Sequence, residues 1–356
     1  MNTLRASLRS HSVLLLIVLL YAAAATLLAG SLPSAADILN VLAGFLLAIL
    51  TGPVFILCGY TIHVMLMRRP HRLCHYLYHD LRGYLSNERL LHALPAMLLI
   101  PIFASSFTVF KAAIPRLHAY TWDATLSSWD MALHGGMAPW ERLQPLLGHP
   151  LVTGLLNFAY HFWFFLFYAV LYWLILDTRR PLLRMQFLLS FALTWIVLGS
   201  LMAVLFASVG PCYYGHLHAS DPYAPLMAYL HEANQHVPIW ALQVQEMLWQ
   251  GYQSKGANGE LGISAMPSMH VATAVLMAIM GWRLNRAAGL ALTTFAVLIL
   301  LASIHLGWHY AVDGYAGAVG AALVWHLVGR ALGRQAAAPA MHLATAPCMN
   351  KGGLTS

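Results

Sequence analysis

Ser264-Ala265-Met266-Pro267-Ser268-Met269-His270 opens a stretch that runs through a long apolar segment and closes on Gly307-Trp308-His309-Tyr310-Ala311-Val312-Asp313-Gly314-Tyr315-Ala316-Gly317. Two histidines, a serine and an aspartate thus stand at the ends of membrane-length runs. An ionisable group there is costly unless it has a function. The stretch reads as a catalytic site carried on transmembrane helices.

Composition supports that frame. The 356 residues are 60% hydrophobic and 9% charged, against about 25% charged in an ordinary soluble domain. A polytopic, all-α transmembrane bundle is expected. The formal charge of +7 comes from short Lys and Arg clusters between apolar runs, a pattern of membrane loops and not of nucleic-acid binding. Cys58, Cys74, Cys212 and Cys348 have no paired spacing, so neither a disulfide framework nor a zinc site is indicated. No internal repeat is visible.

A span needs roughly 20 apolar residues. Eight runs qualify, near 12–30, 38–66, 90–112, 153–176, 185–207, 267–282, 287–304 and 309–329. The sixth is short, and Gly52-Pro53 predicts a kink in the second. Of the 19 Lys and Arg residues, fifteen fall in one alternating set of connections, from Arg5 and Arg9 to Arg330, Arg334 and Lys351, with Arg184 among them. That bias predicts cytoplasmic termini and places His270 and His309 on the opposite face. A multi-pass protein of a bacterial inner membrane is expected, with its site toward the periplasm or cell exterior. Arg5 and Arg9 before an apolar run ending near Ala25 also fit a cleaved signal peptide, but the run is close to full membrane length and a retained helix is favoured.

The organisation expected is membrane helices over 1–112, an external interfacial segment over 113–152, a catalytic core over 153–334 with an external loop at 208–266, and a disordered tail over 335–356. In the interfacial segment, Trp122, Trp129 and Trp140 alternate with Asp123, Asp130 and Glu141, which predicts short helices in the headgroup layer. A packed cap without substrate contact is the alternative. The loop, with Gly210-Pro211, Pro222, Pro225 and Pro238, leads into the catalytic stretch and should roof it. Gly314, Ala316, Gly317, Ala318, Gly320 and Ala321 predict close helix packing in the last span.

His309 and Asp313 are four apart, one face of a helix. A carboxylate on one ring nitrogen fixes the tautomer and leaves the other nitrogen nucleophilic. Asp313 is the only acid inside any of the eight runs. His270 follows Pro267 and Ser268 at a helix start, whose backbone amides suit phosphate, and Ser268 either caps that helix or binds a phosphate oxygen. His305, His309 and Asp313 along one helical stripe leave a metal reading open; no metal and no cofactor is the expectation.

Pro267-Ser268-Met269-His270, with Gly307-Trp308-His309-Tyr310-Ala311-Val312-Asp313 and Ala316-Gly317 about forty residues later, resembles the second and third motifs of the type-2 phosphatidic acid phosphatase superfamily. The resemblance implies that His309 attacks phosphorus, that Asp313 supports it and that His270 protonates the leaving group. The first motif, Lys-x6-Arg-Pro, is absent, and Ser303 stands where the third motif carries arginine. Lys255, Tyr213, Tyr214 and Ser268 are the candidate phosphate ligands in their stead, with His216, His218 and His305 behind them. A retained His-His-Asp set without the cationic motif looks like the inositolphosphotransferase branch, which includes inositol phosphorylceramide synthase. This implies transfer of a phospho-head group from a phospholipid to a lipid alcohol within the bilayer. Hydrolysis of phosphatidic acid or a polyprenyl pyrophosphate is the alternative. A proton-coupled transporter is the reading from another class, but it predicts inverted repeats or paired broken helices, which the sequence lacks.

Overall fold

Apolar runs bounded by capping residues and prolines become helices throughout the computed structural model, which describes residues 2–30, 53–54, 56–255 and 262–344. In order these are α1 (Asn2–Ser10), α2 (Ser12–Ala29), α3 (Ile56–Met67), α4 (Leu73–Tyr84), α5 (Asn87–Leu117), α6 (Asp123–Leu133), α7 (Pro139–Leu147), α8 (Pro150–Leu176), α9 (Pro181–Ile196), α10 (Ala203–Leu205), α11 (Tyr214–Leu217), α12 (Ala224–Ala233), α13 (Trp240–Lys255), α14 (Met269–Leu284), α15 (Arg286–His305) and α16 (Ala311–Ala344). No strand occurs among the described residues.

Among the described residues six helical stretches are long and apolar enough to cross a membrane: Ser12–Ala29, Asn87–Leu117, Pro150–Leu176, Pro181–Leu205, Arg286–His305 and Ala311–Arg334. The protein is a multi-pass membrane protein. Two of the eight expected spans are not among the six. The run at 38–66 contributes only α3 among the described residues, and the kink expected at Gly52 lies outside them. The run at 267–282 is the 16-residue α14. It needs no lipid-facing length because α8, α9, α15 and α16 surround it, and Val271, Ala272, Ala274, Leu276 and Met277 are fully buried.

Local chemistry sets the helix starts. Ser86 accepts from Arg89 N at 3.3 Å, Ser268 from Val271 N at 3.5 Å and Asn285 from Ala288 N at 2.8 Å, each satisfying an amide that has no intrahelical partner. Pro150 and Pro181 occupy first turns, where a missing N–H costs nothing. Between α9 and α10 a π turn covers Val197–Met202, and Gly199 there faces Phe107 of α5 and Met269 of α14.

The glycine stripe of α16 does the packing expected of it. A Cβ on Gly317 would fall 2.6 Å from the Ser268 carbonyl oxygen, on Gly314 2.3 Å from Leu300, and on Gly320 2.7 Å from Leu198. Helices α14 and α16 therefore cross nearly backbone to backbone, which brings Ser268 N–H to the Asp313 carbonyl at 3.0 Å.

Three regions differ from expectation. The connection before the third span folds as α4, with no buried residue. Helix α16 continues to Ala344, through the first part of the expected tail; residues 345–356 lie outside those described. Arg184, read as a loop charge, is 1% exposed inside the bundle. Its Nε donates to Ile175 O at 3.1 Å, and its other nitrogens meet His92 Nε2 and His11 Nε2, each at 2.8 Å. A guanidinium offers five donors, and three neighbouring elements supply acceptors that no local pattern reveals.

Candidate active site

The segment 306–310 is a turn and not a helix. Gly307 takes φ +73°, a conformation glycine adopts freely, so α15 stops at His305 and α16 starts afresh at Ala311. His305 therefore lies outside the helix that carries Asp313. Its Nε2 meets Thr153 Oγ1 at 2.9 Å, and Thr153 also meets the Tyr229 hydroxyl at 2.7 Å. The metal arrangement His305–His309–Asp313 does not form, and no group of three potential ligands occurs among the described residues.

His309 sits just ahead of α16 with its ring 7% exposed. Its Nδ1 lies 2.9 Å from Ala265 O and 3.4 Å from Asp313 Oδ2. Both neighbours are acceptors, so in the neutral ring Nδ1 carries the proton and Nε2 the lone pair. The expected carboxylate partner is present, yet the shorter contact is to a backbone carbonyl. Asp313 divides its attention: Oδ2 also accepts from Tyr310 N at 3.0 Å, the return half of a capping box. Oδ1 is buried and has no partner among the described residues.

His270 occupies the second position of α14, after the cap Ser268; Pro267 precedes the cap and lies outside the first turn. The imidazole rests on an aromatic floor from α8. Tyr160 stacks at 4.4 Å, Trp163 lies at 4.3 Å, and Phe164 meets it edge-on at 5.6 Å. Tyr160 also stacks on Trp308 at 6.1 Å, so the segments carrying the two histidines converge on one ring. His270 Nε2 is buried without a partner among the described residues.

The candidate phosphate ligands fare less well. Ser268 is fully buried with its oxygen engaged as a cap. Tyr213 donates its hydroxyl to Gln245 O at 2.9 Å and stacks on Trp249 at 5.3 Å; burial pushes that phenol up, so it stays protonated and spent. Tyr214 packs on His218 and Tyr223, and His216 lies flat on Trp249. Lys255 ends α13, and its side chain lies outside the described residues. Ser303, at the position of the missing arginine, turns its hydroxyl back to Leu300 O at 2.8 Å.

Sequence reasoning missed what holds the turn in place. Helix α6 presents one stripe to it. Asp123 accepts from Val209 N and Gly210 N, at 3.0 and 2.9 Å, and from the Tyr310 hydroxyl at 2.9 Å. Asp130 accepts from Ala311 N at 2.7 Å and Val312 N at 2.9 Å, covering the first amides of α16. Ser127 receives the Tyr223 hydroxyl at 2.9 Å. Burial pushes both carboxyls up and the bonded N–H groups pull them back. The segment expected to lie in the headgroup layer is thus the clamp of the 306–310 turn. Its signal was present in the sequence: Asp123, Ser127 and Asp130 fall on one helical face. Gly210 completes the clamp, because a Cβ there would fall 2.6 Å from Trp308 O.

The sequence profile of the PAP2 superfamily matches residues 124–327, from α6 through most of the membrane part of α16 and across both histidines. No curated protein and no solved structure matches the chain.

Proposed function

The chain belongs to the PAP2 superfamily, and from that premise we propose that it cleaves a lipid phosphoester through a phosphohistidine at His309 and passes the phospho-head group to a lipid alcohol. The observation that carries this reading is the His309 ring, whose Nδ1 faces two acceptors and whose Nε2 is thereby left with its lone pair.

In the first step Nε2 of His309 attacks phosphorus. The bond from phosphorus to the leaving oxygen breaks with its electron pair on that oxygen, and protonated His270 delivers the proton. In the second step neutral His270 takes the proton of the incoming hydroxyl as that oxygen attacks phosphorus, and the pair of the P–N bond returns to His309. Asp313 stabilises the positive ring formed in between. The choice of transfer over hydrolysis is supported by the sparse positive charge, Ser303 in place of arginine above all: a head-group phosphodiester carries less charge than a phosphomonoester and needs less compensation.

Purified protein incubated with a phospholipid donor, a lipid alcohol and, separately, phosphatidic acid tests the proposal. New phospholipid and an acid-labile phosphoryl label on His309 are expected. Free phosphate released from the monoester with no acceptor present would replace transfer by hydrolysis, and absence of the label would remove the mechanism.

A further inference from the structure

Among the described residues no candidate ligand named so far supplies a positive charge, and a phosphoryl transition state is stabilised by one. One side chain meets the need from an unexpected direction. Lys111 lies near the C-terminal end of α5, one helical turn beyond Phe107. Phe107 and Met269 both press on Gly199, so that face of α5 is packed beside the start of α14. The backbone of Lys111 touches the segment entering the site: a Cβ on Gly262 would fall 2.0 Å from the Lys111 carbonyl oxygen, and Tyr120 donates to Ile263 O at 2.8 Å. Two residues later in that segment is Ala265, whose carbonyl holds His309.

The Lys111 side chain lies close enough to act electrostatically on the His270 ring, as His309 and His161 do, and no carboxylate among the described residues joins them. Asp313 is turned to His309 and Tyr310 N. Lys111 itself has no hydrogen-bond or ion-pair partner among the described residues. A lysine amine within a membrane helix, with no anion beside it among the described residues, is suited to take one from a ligand.

We infer that Lys111 binds the phosphoryl oxygens of the substrate between His270 and His309, in place of the arginine and lysine that the motifs lack. The ligand class is the phosphoryl group of a membrane lipid ester. The inference rests on the phosphohistidine reading of His309.

The full chain in detergent, titrated with orthovanadate as a phosphoryl mimic, tests it in wild type, Lys111→Met and Lys111→Arg. Loss of the charge should weaken vanadate binding and lower kcat/KM by about 100-fold, the scale of removing one transition-state donor; arginine should restore most of both. The melting midpoint of Lys111→Met should hold or rise, because an uncompensated charge has been removed. A purely structural lysine would do the opposite, lowering the midpoint and leaving affinity unchanged. Lys111→Gln gives the same reading should the methionine variant fail to fold. Wild-type affinity and turnover in the folded Met or Gln variant would overturn the role of Lys111 alone. A wild-type protein that neither binds vanadate nor forms phosphohistidine would overturn the reading of His309, and this inference with it.

Discussion

Two buried clusters, one around Arg184 and one around His270 and Asp313, treat their polar groups in opposite ways. In the first, Arg184 has a partner for each of its three nitrogens, among them His11 and His92, and Ser7 donates to the His92 carbonyl. In the second, His270 Nε2, Asp313 Oδ1 and Lys111 have no partner among the described residues. A buried network that is saturated can serve only stability, since every donor and acceptor is already committed. One that leaves valences open keeps the cost of burial unpaid until a ligand arrives. The contrast separates scaffold from site without reference to any family.

It can be broken by substitution. In the open cluster, His309→Ala should lower kcat by about 10^4-fold or more, the scale for removing a member of a catalytic set, and cost only about 1 kcal/mol of stability, the one bond to Ala265. Turnover against a lipid phosphoester and thermal unfolding in the same detergent read both. In the saturated cluster the pattern should invert: Arg184→Met should cost about 3 kcal/mol by stranding buried acceptors, with kcat of the folded fraction unchanged. Destabilisation by His309→Ala as large as that by Arg184→Met would erase the distinction.

The clamp lies between the extremes. Asp130→Ala uncaps α16 and should cost about 1–2 kcal/mol, and it should also lower kcat about tenfold, because a displaced turn misplaces His309. Loss of stability with unaltered kcat would make α6 a cap and nothing more.

The smallest effect is a pH dependence. His11, just outside the first span, is held down to about 4 from its usual 6.5, chiefly by burial and secondarily by Arg184 and His92, while its bond to the Ser7 carbonyl opposes the shift. Between those values the unfolded chain binds a proton that the folded chain does not, so stability falls as pH is lowered through that window. About 1 kcal/mol should be gone by pH 5.5, and His11→Asn should flatten the slope of melting midpoint against pH.

Much of the fold was legible because membrane insertion depends on local composition. The six long spans occupy stretches near those expected, and the close packing of the Gly314–Ala321 stripe follows from small side chains alone. The pairing of His309 with Asp313 was legible as well, through their spacing, although the helix supposed to carry both begins two residues after His309. Gly307 explains that difference: it ends one helix and lets a turn deliver the ring instead. The short α14 was harder to read, since its fitness depends on being wrapped by four neighbours and not on lipid.

By itself the sequence determined an α-helical membrane bundle with two histidines and one aspartate at helix boundaries, because the cost of burying charge and the length of a span are properties of short stretches. Tertiary structure alone decided that Ala265 orients His309, that Asp123 and Asp130 hold the turn, and that Lys111 of α5 packs against Gly262. Those pairings cross from one helix or loop to another far along the chain, and the first of them uses a backbone carbonyl, which any residue at position 265 would have offered.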